Sequence, residues 1–352
     1  MCETNIMKRL IPALLLLSFV SHAQWLPMDI ETQASFRAIK AFKSHVWIGG
    51  TKGTVIHSAD HGNTWSVQQI QGAEKLDFRD LIILNEQEII LMSAGLSKDH
   101  AAKLYKTKNG GSSWEILFET IEPGYFFDAI TWNRKTKEGI LVSDPKDGKF
   151  SLFQLTKNGH ALVPISNPSF PSLLPREAAF AASGSSLIQA PKSKENYLVT
   201  GGSPKSRIYK SKNRGQTWTI QAEVCCTDSS SGFFSIAANK NHLLAGGGNY
   251  LRINENTFPM MESLDGGETW NVLANSPNFY IEKIIYRKPY WIVTGPSRSA
   301  AYHEGLKKWK DLPESHFHNL IRVKNILIGV GGKGQLGKLP IAQIDALFLS
   351  EK

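Results

Sequence analysis

The sequence is poor in cysteine, which limits the redox chemistry it can support. Three cysteines occur among 352 residues, and Cys2 lies in a segment that we expect to be removed. Cys225 and Cys226 are adjacent, so they do not form the C-x-x-C arrangement of redox proteins. In an exported protein they could form a strained vicinal disulfide or remain as buried thiols. Redox activity is a third and more remote option.

Other signals are missing as well. The net charge is +9, from 40 basic and 31 acidic residues, but no run of five basic residues occurs, so nucleic-acid binding is not indicated. No glycine-rich dinucleotide loop opens a helix, and no haem or flavin motif is present, so we expect no cofactor. His316 and His318 alternate along a predicted strand but lack a third ligand, so no metal site is expected.

The N-terminus has the pattern of a secretory signal peptide. Lys8 and Arg9 precede an apolar run over residues 10–20, and Ser21-His22-Ala23 is a small-x-small cleavage site. The run is shorter than the roughly 20 apolar residues of a membrane anchor. Residues 1–23 are therefore the predicted signal peptide, whether the start is Met1 or Met7. The mature protein is predicted to be periplasmic or secreted, with no integral membrane segment.

What the chain does contain is a repeated turn. Residues 263–270 read Ser-x-Asp-x-Gly-x-Thr-Trp, and residues 58–65 repeat this pattern. Residues 107–114 and 211–218 keep it with Asn in place of Asp, and residues 302–309 keep only Glu304 and the final Trp. Recurrence of a motif of this length indicates a repeat protein.

The residues of the turn have structural roles. The Asp or Asn side chain accepts hydrogen bonds from backbone N–H groups further along the turn, and Gly supplies its left-handed conformation. The Trp begins the next strand and packs between neighbouring sheets. One carboxylate per turn is too few for a calcium site. The predicted structural residues are Asp60, Trp65, Asn109, Trp114, Asn213, Trp218, Asp265 and Trp270.

This turn resembles the Asp-box of sialidase-like (BNR-repeat) β-propellers. The mature chain is also similar to bacterial members of the Ycf48-like family of photosystem II assembly factors, in residues 35–37, 49–55, 77–80, 143–150, 177–184 and 331–334. Bacterial members are often described as oxidoreductases, but no cofactor motif supports that activity here. The resemblance implies a β-propeller and a role in protein assembly. Photosystem partners would require a phototroph.

The pattern predicts an all-β, seven-bladed propeller over residues 24–340, followed by a short helix or frayed tail over residues 341–352. An orphan strand at Trp25 would complete the last blade and close the ring, which removes exposed sheet edges. Two long loops, residues 166–175 and 249–259, interrupt the repeat. The inner strands of the seven blades are predicted at residues 36–42, 78–84, 127–132, 178–182, 233–238, 281–286 and 317–323.

Charged residues cluster where the inner strands begin, on the face opposite the repeated turns. We expect them to ring the mouth of the central channel and to bind a small polar or anionic ligand or a protein partner. A solvated ring of loop ends is the alternative. The candidate binding residues are Arg37, Arg79, Asp80, Asp128, Asp144, Asp147, Lys149, Glu177, Arg207 and His318.

The expected function is that of an exported, non-catalytic binding or assembly module, acting as a monomer. The alternative is a sialidase-like glycoside hydrolase, in which three arginines clamp a carboxylate. Residues 36–39 are similar to the first arginine motif of those enzymes, but the Pro that should follow is missing. No catalytic residue can be assigned from the sequence.

Overall fold

The repeats form seven four-stranded antiparallel sheets, the blades of a β-propeller. The computed structural model describes residues 23–190, 195–255 and 257–349, so the predicted signal peptide lies almost entirely outside the described residues. Blades one to three consist of β2 (Phe36–Phe42), β3 (His45–Gly50), β4 (Thr54–Ser58) and β5 (Ser66–Gln69); β6 (Phe78–Ile83), β7 (Ile89–Ser93), β8 (Lys103–Thr107) and β9 (Glu115–Glu119); and β10 (Phe127–Ile130), β11 (Gly139–Lys146), β12 (Lys149–Leu155) and β13 (Leu162–Pro164).

The remaining blades follow the same plan. They consist of β14 (Leu187–Gln189), β15 (Asn196–Val199), β16 (Lys205–Ser211) and β17 (Thr219–Cys225); β18 (Ser231–Asn239), β19 (His242–Asn249), β20 (Met261–Ser263) and β21 (Asn271–Val272); β22 (Lys283–Arg287), β23 (Tyr290–Thr294), β24 (Ser299–His303) and β25 (Lys308–Asp311); and β26 (Phe317–Val323), β27 (Ile326–Gly331) and β28 (Leu336–Pro340) with β1 (Leu26–Pro27). The 3-10 helices Ser97–Asp99 and Lys157–Gly159 lie in connections.

The N-terminal strand closes the ring, as the orphan strand at Trp25 predicts. Leu26 pairs with Lys338 and Pro27 with Gly337, so β1 is the outer strand of blade seven. The Trp25 ring packs edge-on against Phe317 of the inner strand, 4.6 Å between centroids. The N-terminal strand therefore completes blade seven and gives β28 a partner on both edges, which closes the ring.

The last described element is helix α1 (Ile341–Leu349). Its apolar side chains Ile341, Ile344 and Phe348 are buried in the same cluster as Trp25. Tyr290 donates a hydrogen bond to the Asp345 carboxylate at 2.7 Å. The helix thus caps the outside of blades six and seven rather than fraying. In the described part of the chain, no helix has the length and hydrophobicity needed to span a bilayer.

The repeated turn is held by its acidic side chain. Asp60 accepts hydrogen bonds from the backbone N–H of Asn63 at 2.8 Å and of Thr64 at 2.9 Å, and from the Thr64 hydroxyl at 2.7 Å. These bonds stabilise the ionised form and lower the pKa of Asp60. Asp265 makes the equivalent bonds to Thr269, and its pKa falls to about 2.

The tryptophan of each full turn packs on the preceding blade. Trp65 lies in the cluster that contains Ile328 of blade seven, and Trp114 meets Trp47 of blade one edge-on with centroids 6.0 Å apart. Trp218 is buried with residues of blade three, and Trp270 lies in the cluster that contains Tyr197 of blade four. The turns therefore supply much of the packing that joins adjacent blades.

Blade four departs from the repeat. Its inner strand was predicted at residues 178–182, but the strand that pairs with β15 is β14 (Leu187–Gln189), and Ala178 makes only an isolated bridge to Gly201. Residues 178–186, which we call the crossing segment, instead run across the central channel. Gly184 has φ 62° and lies so close to the Asp80 carboxylate of blade two that a Cβ would clash with it.

Hydrogen bonds anchor the crossing segment to distant blades. The Ser183 hydroxyl donates to the backbone carbonyl of Glu282 in blade six at 2.7 Å, and the Ser183 carbonyl accepts from the Asn319 side chain of blade seven at 3.0 Å. The Ser185 hydroxyl donates to Ser235 of blade five at 2.9 Å. These bonds reach three blades besides blade four, and together with Gly184 they hold a partition across the channel.

Candidate functional site

A cavity of about 430 Å³ lies above the crossing segment, on the face where the inner strands begin. This mouth cavity is walled by charged groups from several blades and by aromatic rings. Five of the ten predicted binding residues line it. The lining residues are Arg37, Arg79, Phe126, Asp128, Asp144, residues 178–182, Phe234, Tyr250, Tyr280, Glu282, Pro296 and His318.

Glu282 holds two of these groups in place. Its buried carboxylate accepts from Arg37 Nε at 3.3 Å and lies 2.8 Å from His318 Nδ1. Among the described residues, no other acceptor contacts the Arg37 guanidinium. Since a guanidinium carries five N–H donors, Arg37 retains donors that a ligand in the cavity can use.

Arg79 is positioned by its own loop and by the crossing segment. Its Nε donates to Asp77 at 2.7 Å, and its Nη1 donates to the backbone carbonyl of Ala181 at 3.1 Å. About a third of the side chain stays exposed. Arg37 and Arg79 therefore present two fixed cations to the cavity, a geometry suited to a carboxylate or another anion.

Two carboxylic acids, Asp128 and Asp144, line the same cavity as the arginines. Asp128 is buried, and among the described residues its Oδ2 and the Oδ1 of Asp144 have no hydrogen-bond partner. Burial raises the pKa of Asp144 to about 6. Burial and the nearby Asp144 raise the pKa of Asp128 well above its usual range, against the opposing effect of Arg79. The cavity thus offers unused acceptors beside its cations.

Aromatic rings make the rest of the wall. Phe180 of the crossing segment stacks on Phe234 with centroids 4.0 Å apart, and Tyr280 meets Phe234 edge-on at 4.8 Å. Tyr250, from the long loop after β19, approaches both phenylalanines at 6.2–6.3 Å. Burial raises the pKa of Tyr280 well above its usual range. This surface favours a ligand with an apolar group next to its polar one.

Three predicted binding residues do not reach the cavity. Asp80 is buried, accepts from the backbone N–H of Ile130 and pairs with Lys40 at 2.7 Å. Glu177 and Arg207 form a buried ion pair at 3.1 Å within blade four. Charged residues at these positions satisfy each other inside the fold, so a ligand in the mouth cavity cannot contact them.

Asp147 and Lys149 lie elsewhere too. They occupy the exposed hairpin between β11 and β12, where Asp147 has φ 53°. Neither lines the mouth cavity. Turn chemistry accounts for an aspartate with positive φ at such a hairpin.

Sequence reasoning also missed lining residues. Phe180, Phe234, Tyr250 and Tyr280 were not singled out because an aromatic residue near a strand end normally indicates core packing. Tyr250 alone had a signal, since it lies in the long loop 249–259 that interrupts the repeat. Glu282 is not among the candidates either, although it lies at the entry to the sixth inner strand, which is the same signal that selected Arg37 and Arg79.

The described cysteines, and His316 and His318 at the predicted last inner strand, form no separate site. Cys225 and Cys226 are free thiols, and burial raises the pKa of Cys226 to about 11, so this thiol is a poor nucleophile. His316 points to the Pro296 carbonyl, whereas His318 contacts Glu282. Within the described ranges, no three metal-ligating side chains group together.

The fold matches known propellers. A structure of YCF48 bound to D1 peptide superposes with TM-score 0.64 at 13% identity, covering 91% of this chain and 98% of that one. The fold is that of Ycf48. YCF48 from Cyanidioschyzon merolae gives TM-score 0.63 at 13% identity over 90% and 99% of the two chains. The Pan2 WD40 domain of Neurospora crassa gives 0.60 at 11% identity over 87% and 89%.

These likenesses confirm the predicted seven-bladed propeller of the Ycf48 type at the level of the fold. No protein-family model and no curated protein sequence matches the chain. The relationship of its turns to the Asp-boxes of sialidase-like propellers stays a prediction from the motif.

Proposed function

We propose that the chain is an exported, non-catalytic binding module that holds a short segment of a protein partner in the mouth cavity. The observation that carries this proposal is the pairing of two fixed guanidinium groups, Arg37 and Arg79, with an aromatic wall in one cavity. An acidic group of the partner would meet the arginines, and an adjacent apolar side chain would pack on Phe180 and Phe234.

Two further observations support a peptide as the ligand. Asp128 and Asp144 offer acceptor oxygens with no partner among the described residues, and backbone N–H groups of a peptide could use them. In addition, the YCF48 structure with which the fold superposes has a D1 peptide bound. The D1 peptide is the ligand of YCF48 in that structure. The partner of the present chain is to be identified by selecting binders from a peptide library.

The site does not favour a sialidase-like hydrolase. Among the residues that the structure describes, two arginines line the cavity where a sialidase clamp uses three, and Arg37 Nε is engaged by Glu282. The mature protein is therefore expected to give no turnover of fluorogenic sialosides or neutral glycosides. Turnover that disappears in Asp144→Asn would reinstate the glycosidase.

Selection of a displayed peptide library on the mature protein tests the proposal directly. We expect the selected peptides to combine an acidic and an apolar residue, and to bind the Arg37→Gln and Arg79→Gln variants at least tenfold more weakly by fluorescence anisotropy. Arg214→Gln is the matched control, because Arg214 lies in a repeated turn on the opposite face and pairs with Glu138. Equal binding to all three variants would refute the proposed site.

A further inference from the structure

The crossing segment also closes a second cavity, on the face that carries the repeated turns. This turn-face cavity has a volume of about 420 Å³ and lies among the inner strands of blades one, three, four, five and six. Gly184 and Ser185 contribute to its lining from the crossing segment, whose earlier residues line the mouth cavity. It is therefore a blind pocket, and its size suits a small molecule.

The charges in this cavity do not balance. Lys40 pairs with Asp80 at 2.7 Å, so these two charges compensate each other. Lys283, at the start of β22, is partly buried in the same cavity, and no acceptor or counter-ion contacts its ammonium group within the described ranges. Two ammonium groups thus face one carboxylate, and one positive charge is left over.

The uncompensated charge has a cost. Burial and the neighbouring Lys40 lower the pKa of Lys283 to about 8, while Asp80 acts in the opposite direction. A partly buried charge without a partner destabilises a fold unless something pairs with it. An anion in the cavity would supply the missing counter-charge.

The remainder of the lining is mostly apolar. Trp132 and Tyr286 contribute aromatic surface, and Gln189 contributes an amide that has no side-chain partner among the residues described. Water alone would solvate Lys283 but would leave the apolar surface of the cavity exposed to solvent. The lining suits a ligand that is anionic at one end and hydrocarbon at the other. The aliphatic lining comes from Ile130, Leu187, Ile188, Ile236, Ile284 and Ile285.

We propose that the turn-face cavity binds a small organic anion, whose carboxylate or phosphate pairs with Lys283 while its hydrocarbon part packs against Trp132 and Tyr286. This site is separate from the mouth cavity, since the crossing segment lies between them, and it does not depend on the function proposed there.

Isothermal titration of the mature protein with benzoate, phenyl phosphate and benzamide tests the assignment. The first two probes compare carboxylate with phosphate, and benzamide is the uncharged analogue. We expect at least one anion to bind, benzamide not to bind, and Lys283→Met to raise the Kd at least tenfold. Lys283→Arg keeps the charge and should retain binding.

Two controls locate the site. Lys149→Met removes the same charge from an exposed hairpin near the other face and should leave the Kd unchanged. Arg79→Gln alters the mouth cavity and should leave it unchanged as well. Failure of wild type to bind either anion at millimolar concentration would overturn the proposal. So would equal binding by Lys283→Met, or loss of binding in Arg79→Gln alone.

Discussion

Replacing Glu177 with Gln distinguishes a structural carboxylate from a binding one. The sequence makes Glu177 a candidate binding residue, and a residue in that role would weaken binding when substituted. In the structure it is buried and accepts four hydrogen bonds, from Tyr209 at 2.7 Å, Thr200 at 2.9 Å, the backbone N–H of Leu174 at 2.9 Å and Arg207 at 3.1 Å. We therefore expect a stability effect instead.

The magnitude follows from what the substitution leaves behind. Gln has one acceptor oxygen where Glu has two, so its amide would face donors, and Arg207 would lose a buried counter-ion. Removing one partner of a buried ion pair costs about 3–5 kcal/mol when the other charge is left without a partner, and because Arg207 keeps its pair with Glu223 we expect about 3 kcal/mol. In domains of 150–250 residues each kcal/mol lowers Tm by about 2–4 °C, and less in a longer chain, so we expect a loss of about 5–10 °C.

Differential scanning fluorimetry with urea unfolding measures this loss. Glu223→Gln is the matched control, because Glu223 also pairs with Arg207, at 2.8 Å, but is partly exposed. Exposed pairs contribute about 0–1 kcal/mol, so this variant should melt close to wild type. At a temperature where Glu177→Gln is folded, its affinity for peptides that bind the mouth cavity should be unchanged. A wild-type Tm for Glu177→Gln, or an equal loss in both variants, would refute the reasoning.

Three further outcomes are expected. Deleting residues 24–30 removes β1 and exposes β28, so Tm should fall and aggregation on heating should increase; unchanged melting would disprove ring closure. Asp265→Ala should lower Tm, whereas Asp265→Asn should be milder, since Asn109 and Asn213 serve in other turns; changed ligand affinity at unchanged Tm would place function on the turn face instead. Because burial raises the pKa of Asp144 to about 6, the folded state holds that proton more tightly than the unfolded chain, and stability falls as pH rises from about 4 to 6. Asp144→Asn should flatten this fall and raise Tm at pH 7.5, and an unaltered pH profile would contradict it.

The sequence predicted the blades well because each blade repeats the same local chemistry. The turn motif marks where strands three and four meet, and alternating apolar runs mark the inner strands. The exception is instructive. Residues 178–182 read Ala-Ala-Phe-Ala-Ala, an apolar run like that of an inner strand, but the Ala181 carbonyl accepts from Arg79 of blade two, and no local pattern reports such a long-range partner.

The candidate site was predictable only in part. Arg37 and Arg79 were found because charged residues at strand entries converge on one face of a propeller. The same rule also selected Asp80 and Glu177, since sequence does not show which acids find a partner inside the fold. Lys283 was missed for the opposite reason, as a lysine at the start of a strand normally lies in solvent.

The crossing segment has a consequence for how a partner can engage the ring. In a propeller with an open centre, an extended polypeptide could thread through the channel. It would then dissociate only by sliding its whole length back out. Here each face ends in a floor, formed by the backbone around Ser183 and Gly184. A partner can offer a chain end or the tip of a loop, and it enters and leaves by the same opening. Binding and release of a partner therefore do not require a chain end to pass through the ring. A folded protein can be bound through a protruding segment.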